Sequence, residues 1–243
     1  MHRFLVLFPL ALLLAGCIEG EEEIWLEPDG SGRLEASYKM PPSVMQSFGG
    51  PEELARTLEE AAARDRHVHL TRISHRTDRG SIIFEFAGTF DDLRKLCTFP
   101  QRQLRDPDNP DQPVPAEALF GVTNLKITPF KISLQRTVDI SGVLPKNFKR
   151  APALLGKSNF HYILNLPVEA RMSNASNLLE TPRKLEWTFL LRDHATEPMI
   201  LTAEGRLPVP RWLWFAAIAL LIALLAITSL AFRTRRRRNR QSP

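Results

Sequence analysis

Apolar and polar residues alternate with period two in several stretches of residues 17–207, and that alternation predicts strands. Phe130, Ile132, Leu134, Val138 and Ile140 alternate with Lys131, Ser133, Gln135, Thr137 and Asp139. The same rhythm recurs over Phe160–Leu166, and again on Leu185, Trp187, Phe189 and Leu191. Met199–Ala203 reads as a last short strand. Earlier in the chain, Glu21–Glu27 and Arg33–Met40 flank Pro28-Asp29-Gly30-Ser31-Gly32, whose glycines admit the positive φ of a hairpin turn. Val68–Arg76 and Ser81–Ala87 predict a second hairpin across Asp78-Arg79-Gly80, with Ile82, Phe84 and Phe86 on one face.

Two stretches change to a helical period. Pro51–Asp65 carries Leu54, Leu58, Ala61 and Ala62 on one face. Pro51 suits the first turn, Glu52 and Glu53 suit the positive end of the dipole, and Arg64 and Arg66 suit the other end. Thr89 is read as the cap of a short helix from Phe90 to about Cys97, with Asp92 closing a capping box. Gln101–Pro115 is rich in proline and charge and reads as a loop. Strands dominate, so the expected class is α+β, an antiparallel β-rich domain with two short helices. No internal repeat is evident.

The two ends break this pattern with continuous apolar runs. Met1-His2-Arg3 precedes an apolar stretch that ends in Leu14-Ala15-Gly16-Cys17. A basic start, a short apolar segment and small residues before a cut make a secretory signal. The register of Cys17 resembles the lipobox of bacterial lipoproteins, which implies cleavage after residue 16 and acylation of the Cys17 thiol. Trp212–Phe232 is apolar apart from Thr228 and Ser229, and as a helix it is about 31 Å long, enough to span the hydrocarbon core. Arg233, Arg235, Arg236, Arg237, Arg238 and Arg240 follow, and the positive-inside rule places them in the cytoplasm. The expected order is a signal peptide over 1–16, an extracytoplasmic domain over 17–207, a linker over 208–211, a membrane helix over 212–232 and a basic tail over 233–243. That order expects a protein of the bacterial cytoplasmic membrane.

This layout changes the meaning of the net charge of +5. Residues 17–210 hold 24 basic and all 27 acidic residues, a net of −3, so the high pI belongs to the membrane ends. The arginine tail is a topology signal that touches anionic lipid, and no nucleic-acid partner is expected. With Cys17 acylated, Cys97 is left alone. It reads as a buried core thiol at helical spacing from Phe90 and Leu93.

Several constellations carry candidate chemistry. His67, His69 and His75 fall on odd positions of one predicted strand, so alternation would gather them on one face as metal ligands. Val68 and Leu70 take the core side, and the histidines are read as solvated. Asp106, Asp108 and Asp111 could offer oxygens to calcium, but the central glycine and terminal glutamate of an EF-hand loop are missing. Gly156-Lys157-Ser158 ends like a phosphate-binding loop, yet the earlier glycine position is Ala151 and Pro152 interrupts it. Asn174-Ala175-Ser176 matches a glycosylation sequon. No nucleophile elbow or assembled triad is legible. No metal or cofactor is assigned.

The lipobox, the acidic strand Glu21-Glu22-Glu23, the Asp29-Gly30-Ser31-Gly32 turn and the terminal apolar helix together resemble LppM-domain lipoproteins. Leu164-Asn165-Leu166-Pro167, Ser173-Asn174-Ala175 and Leu185-Glu186-Trp187 are similar to that family's closing hairpin, with Val168 in place of the family's usual glycine. The resemblance implies a membrane-tethered α+β domain without assigned catalytic residues, and binding of membrane lipids or glycolipids. The expected function is non-enzymatic binding of a lipid, glycolipid or envelope protein. Membrane lipids are engaged through the Cys17 acyl chains and residues 212–232. An envelope hydrolase whose site forms only in the fold, and a passive envelope assembly protein, are the alternatives.

Overall fold

The computed structural model describes residues 18–104 and 120–207, apart from 129, 143, 145 and 179, together with 218, 219 and 222. The expected antiparallel β-rich class is present as a mostly β domain with short helices. The chain forms β1 (Glu19–Leu26), β2 (Gly32–Met40), α1 (Pro42–Met45), α2 (Pro51–Arg64), β3 (Val68–Asp78), β4 (Ser81–Phe90) and α3 (Leu93–Phe99). It continues through β5 (Val122–Thr128), β6 (Lys131–Val138), α4 (Lys146–Arg150), β7 (Asn159–Asn165), β8 (Ala170–Ser173), β9 (Lys184–Leu190) and β10 (Met199–Arg206). Six strands form one sheet in the order β3-β4-β2-β1-β7-β9, and four form a second in the order β5-β6-β10-β8.

Local chemistry explains the hairpins and α2. In the β1–β2 turn, Asp29 Oδ1 accepts from Ser31 N and Ser31 Oγ at 3.0 and 2.6 Å, and Gly30 takes φ +91°. α2 starts on Pro51 and buries Leu54, Leu58, Ala61 and Ala62. Burying each leucine is worth about 1.5–3 kcal/mol.

Three expectations are corrected. Thr89 and Phe90 end β4 rather than opening a helix, because the cross-strand ladder to β2 and β3 runs through both. Asp92 is itself the N-cap of α3, accepting from Arg94 N at 2.8 Å. The six-stranded sheet is mixed, since β1 and β7 run parallel and join segments distant in sequence. Nor is the closing segment a simple hairpin: β7 pairs with β9, while β8 between them pairs with β10 in the other sheet.

The inner face of the six-stranded sheet packs into one continuous apolar core. Leu54 and Leu58 of α2 join Val68, Phe86 and Phe90 there. Phe160, Leu185 and Trp187 meet the same core as Val138, Met199 and Leu201 of the four-stranded sheet. Thr128, Phe130 and Leu207 belong to a second compact unit, within which Leu207 N–H donates to the Phe130 carbonyl at 3.0 Å. Among the described residues no helix is long and apolar enough to cross a membrane. The span expected over 212–232 lies outside the described residues except for 218, 219 and 222, which are helical.

Candidate functional site

Alternation along β1 turns Gly20, Glu22, Ile24 and Leu26 inward and leaves Glu19, Glu21 and Glu23 on the other face. One glutamate of the acidic run is thus placed inside the core, flanked in register by Ala36 of β2 and Tyr162 of β7. Its side chain is 5% exposed. Alternation along β6 likewise puts Arg136 on the face of Leu134 and Val138, opposite Leu201 of β10. The two meet between the sheets. Arg136 Nη1 and Nη2 donate to Glu22 Oε2 and Oε1 at 2.5 and 3.0 Å, and Arg136 Nε donates to the Phe120 carbonyl at 2.8 Å. Tyr38 Oη also donates to Glu22, and the Arg136 guanidinium lies 5.0 Å from the centre of the Tyr162 ring.

Burial alone would lower the Arg136 pKa, but the Glu22 charge and its hydrogen bonds outweigh it and hold the guanidinium charged. Burial and then the Glu22 charge push the Tyr38 and Tyr162 phenols above the ordinary range, so both remain donors at neutral pH. Tyr38 uses its proton on Glu22. Tyr162 Oη is buried and makes no hydrogen bond to any described residue.

Glu22, Arg136 and Tyr162 line a largely apolar cavity of about 70 Å³, whose walls include Ile24, Leu34, Leu96, Leu134, Leu164 and Trp187. At about 30 Å³ per liquid water it has room for two small groups, well short of the several hundred Å³ that enclose a whole drug-sized ligand. Cys97 of α3 lines the cavity too. The thiol is half-buried, and burial, opposed by Arg136, raises its pKa to about 11, so it is a packing group and not a nucleophile at neutral pH.

The other candidate residues are dispersed. His67 lies before β3 and meets Asp91 at 2.9 Å. His69 faces Thr89, and His75 faces Phe84, because the ladder slips by one residue between Leu70 and Arg72. That bulge inverts the alternation, so the three histidines do not share a face. Ser158, at the end of the loop-like Gly156-Lys157-Ser158, accepts from Ile18 N at 2.8 Å and so anchors the start of β1 beside β7. Asn174 of the sequon accepts from Trp187 Nε1 at 2.7 Å and Thr202 N at 2.9 Å, tying the two sheets together. Among the described residues no group of three or more His, Cys, Asp or Glu is arranged to hold a metal. Cys17, the arginines of 233–240 and Asp106, Asp108 and Asp111 lie outside the described residues.

Sequence reading passed over Glu22 and Arg136, although each left a mark. Arg136 is the one charged residue at the apolar parity of its strand, between Leu134 and Val138. Glu22 has the parity of Ile24 and Leu26.

No family model matches this sequence, and no curated protein matches it. Among solved structures, the chain is similar to the folded domain of LppM from Mycobacterium tuberculosis, determined by NMR. The two share 13% identity with a TM-score of 0.47, over 80% of this chain and 92% of that one.

Proposed function

We propose that this chain is a non-enzymatic binding module tethered to the outer face of a bacterial cytoplasmic membrane. An acylated Cys17 and a helix over 212–232 hold it there, and the arginines from Arg233 to Arg240 stay in the cytoplasm. Its ligand is an amphipathic molecule of that membrane, a lipid or glycolipid, which inserts a short apolar segment between the two sheets. One observation carries the reading: an apolar cavity is lined by a buried ion pair and by Tyr162, whose protonated phenol has a hydrogen bond left to give. Glu22 and Arg136 satisfy each other, so the acceptor expected of the ligand is neutral, an ester or ether oxygen rather than a free acid.

The test is purification of the full chain from its membrane in mild detergent, followed by mass spectrometry of the co-purifying lipids and of the N-terminal peptide. The wild type should carry an acylated Cys17 and a bound lipid. Cys97→Phe, which fills the cavity, should keep the acylated terminus and lose the bound lipid. Recovery of the same lipid in the same amount with Cys97→Phe would overturn the cavity as the binding site. A chain that retains Met1 would overturn the tether.

A further inference from the structure

Phe130, at the turn between β5 and β6, is 53% exposed. A half-exposed aromatic ring at a turn suits a membrane interface, where aromatic side chains concentrate. Its carbonyl is held by Leu207 N–H at 3.0 Å. From Leu207 only five residues lead to Trp212, where the apolar run begins. Fully extended, five residues reach at most about 18 Å. The tip is therefore leashed close to the headgroup layer by a short covalent path. Lys131, next to Phe130, is paired with Glu204 at 2.6 Å, but in sequence Leu207 is preceded by Arg206 and Arg211 comes just before the run, so basic residues border the apolar one. Such a border suits anionic lipid.

We infer that the β5–β6 turn is a membrane-docking tip, with Phe130 inserted among the lipid headgroups beside the entry of the 212–232 helix. The inference rests on the membrane span of the proposed function and is separate from its cavity. The tip and the helix then attach the module to the bilayer at two neighbouring points, and the short leash limits how far the tip can lift away.

The test replaces Phe130 by the photo-crosslinking aromatic p-benzoylphenylalanine in the full chain, reconstituted in vesicles of phosphatidylethanolamine and phosphatidylglycerol. A parallel protein carries the same residue in place of Ala223. Illumination should give lipid adducts, read as mass shifts, at both positions. Lipid adducts at 223 without any at 130 overturn the docking tip and leave the span standing. Adducts at neither overturn both. An adduct from 130 to a second copy of the chain, without lipid adducts, assigns the tip to self-association and overturns the inference.

Discussion

Glu22 and Arg136 lie 114 residues apart, in different sheets, and form a two-pronged ion pair at 2.5 and 3.0 Å. Both side chains are nearly removed from water, 5% and 11% exposed. Such a pair adds little net stability over a well-packed apolar pair, because desolvation offsets the attraction, but half of it is costly. Arg136→Met should therefore destabilise the domain by about 3–5 kcal/mol, since it strands a buried carboxylate. Adding Glu22→Leu and Tyr38→Phe should recover most of that loss, because neither the Glu22 carboxylate nor the Tyr38 phenol is then left without its partner. Urea unfolding of the single and triple variants measures the difference. A triple variant no more stable than Arg136→Met would refute the account.

Asp65, just beyond α2, is a second buried carboxylate, with partners of another kind. It accepts from His67 N at 2.8 Å and Val68 N at 3.1 Å, and from Arg102 at 2.6 Å and Gln103 at 3.0 Å. Burial works to raise its pKa, and these donors outweigh it, leaving the carboxyl below its ordinary 3.8. A carboxyl with a depressed folded pKa stabilises the fold above its unfolded value, and that contribution is lost as pH falls through the folded value. Asp65→Ala should cost about 2–3 kcal/mol at pH 7, with Arg102 partly screened by solvent. The gap between wild type and variant should close as the pH is taken below 3.8. Thermal unfolding across that range checks it, and a gap independent of pH would rule out the electrostatic explanation.

Gly121 sits next to the carbonyl of Phe120 that Arg136 grips. Its φ is +67°, and a Cβ there would stand 2.4 Å from the Thr137 carbonyl oxygen. Gly121→Ala should cost more than about 1–3 kcal/mol, from backbone strain and the clash together. At Gly142 a Cβ meets nothing within 4 Å, so Gly142→Ala should stay within about 0.5 kcal/mol of wild type. Equal effects at the two sites in urea titrations would contradict this reading.

Cys97 should be a poor nucleophile in the folded domain. With its thiol raised to about 11, it should react with iodoacetamide at pH 8 far more slowly than the same chain in urea. Intact-mass kinetics under the two conditions decide the matter. Comparable rates would mean that the thiol is neither buried nor held neutral.

Much of the fold was legible because it is local. Period-two alternation located β4, β6, β7 and β9, the turns at Asp29-Gly30-Ser31-Gly32 and Asp78-Arg79-Gly80 located β1 to β3, and the short apolar stretch Met199–Ala203 marked β10. Proline, acidic residues and a four-residue rhythm located α2. β5 was missed because Val122-Thr123-Asn124-Leu125 does not alternate cleanly, and α1 and α4 are too short for a helical period to emerge. The expectation that His67, His69 and His75 share one face failed for a physical reason. One unpaired residue in β3 reverses every later face and leaves no mark in composition.

By itself the sequence determined where strands, turns and the main helix form, since φ/ψ preferences and side-chain periodicity act over a few residues. It also determined the parity of Glu22 and Arg136 along their strands. Only the tertiary structure decided that β1 lies parallel to β7, that β8 leaves its neighbours for the other sheet, and that these two charges find each other. Those choices depend on which distant surfaces bury each other best. Closing a long loop costs little more than closing a short one, so distance along the chain does not mark a charge's partner.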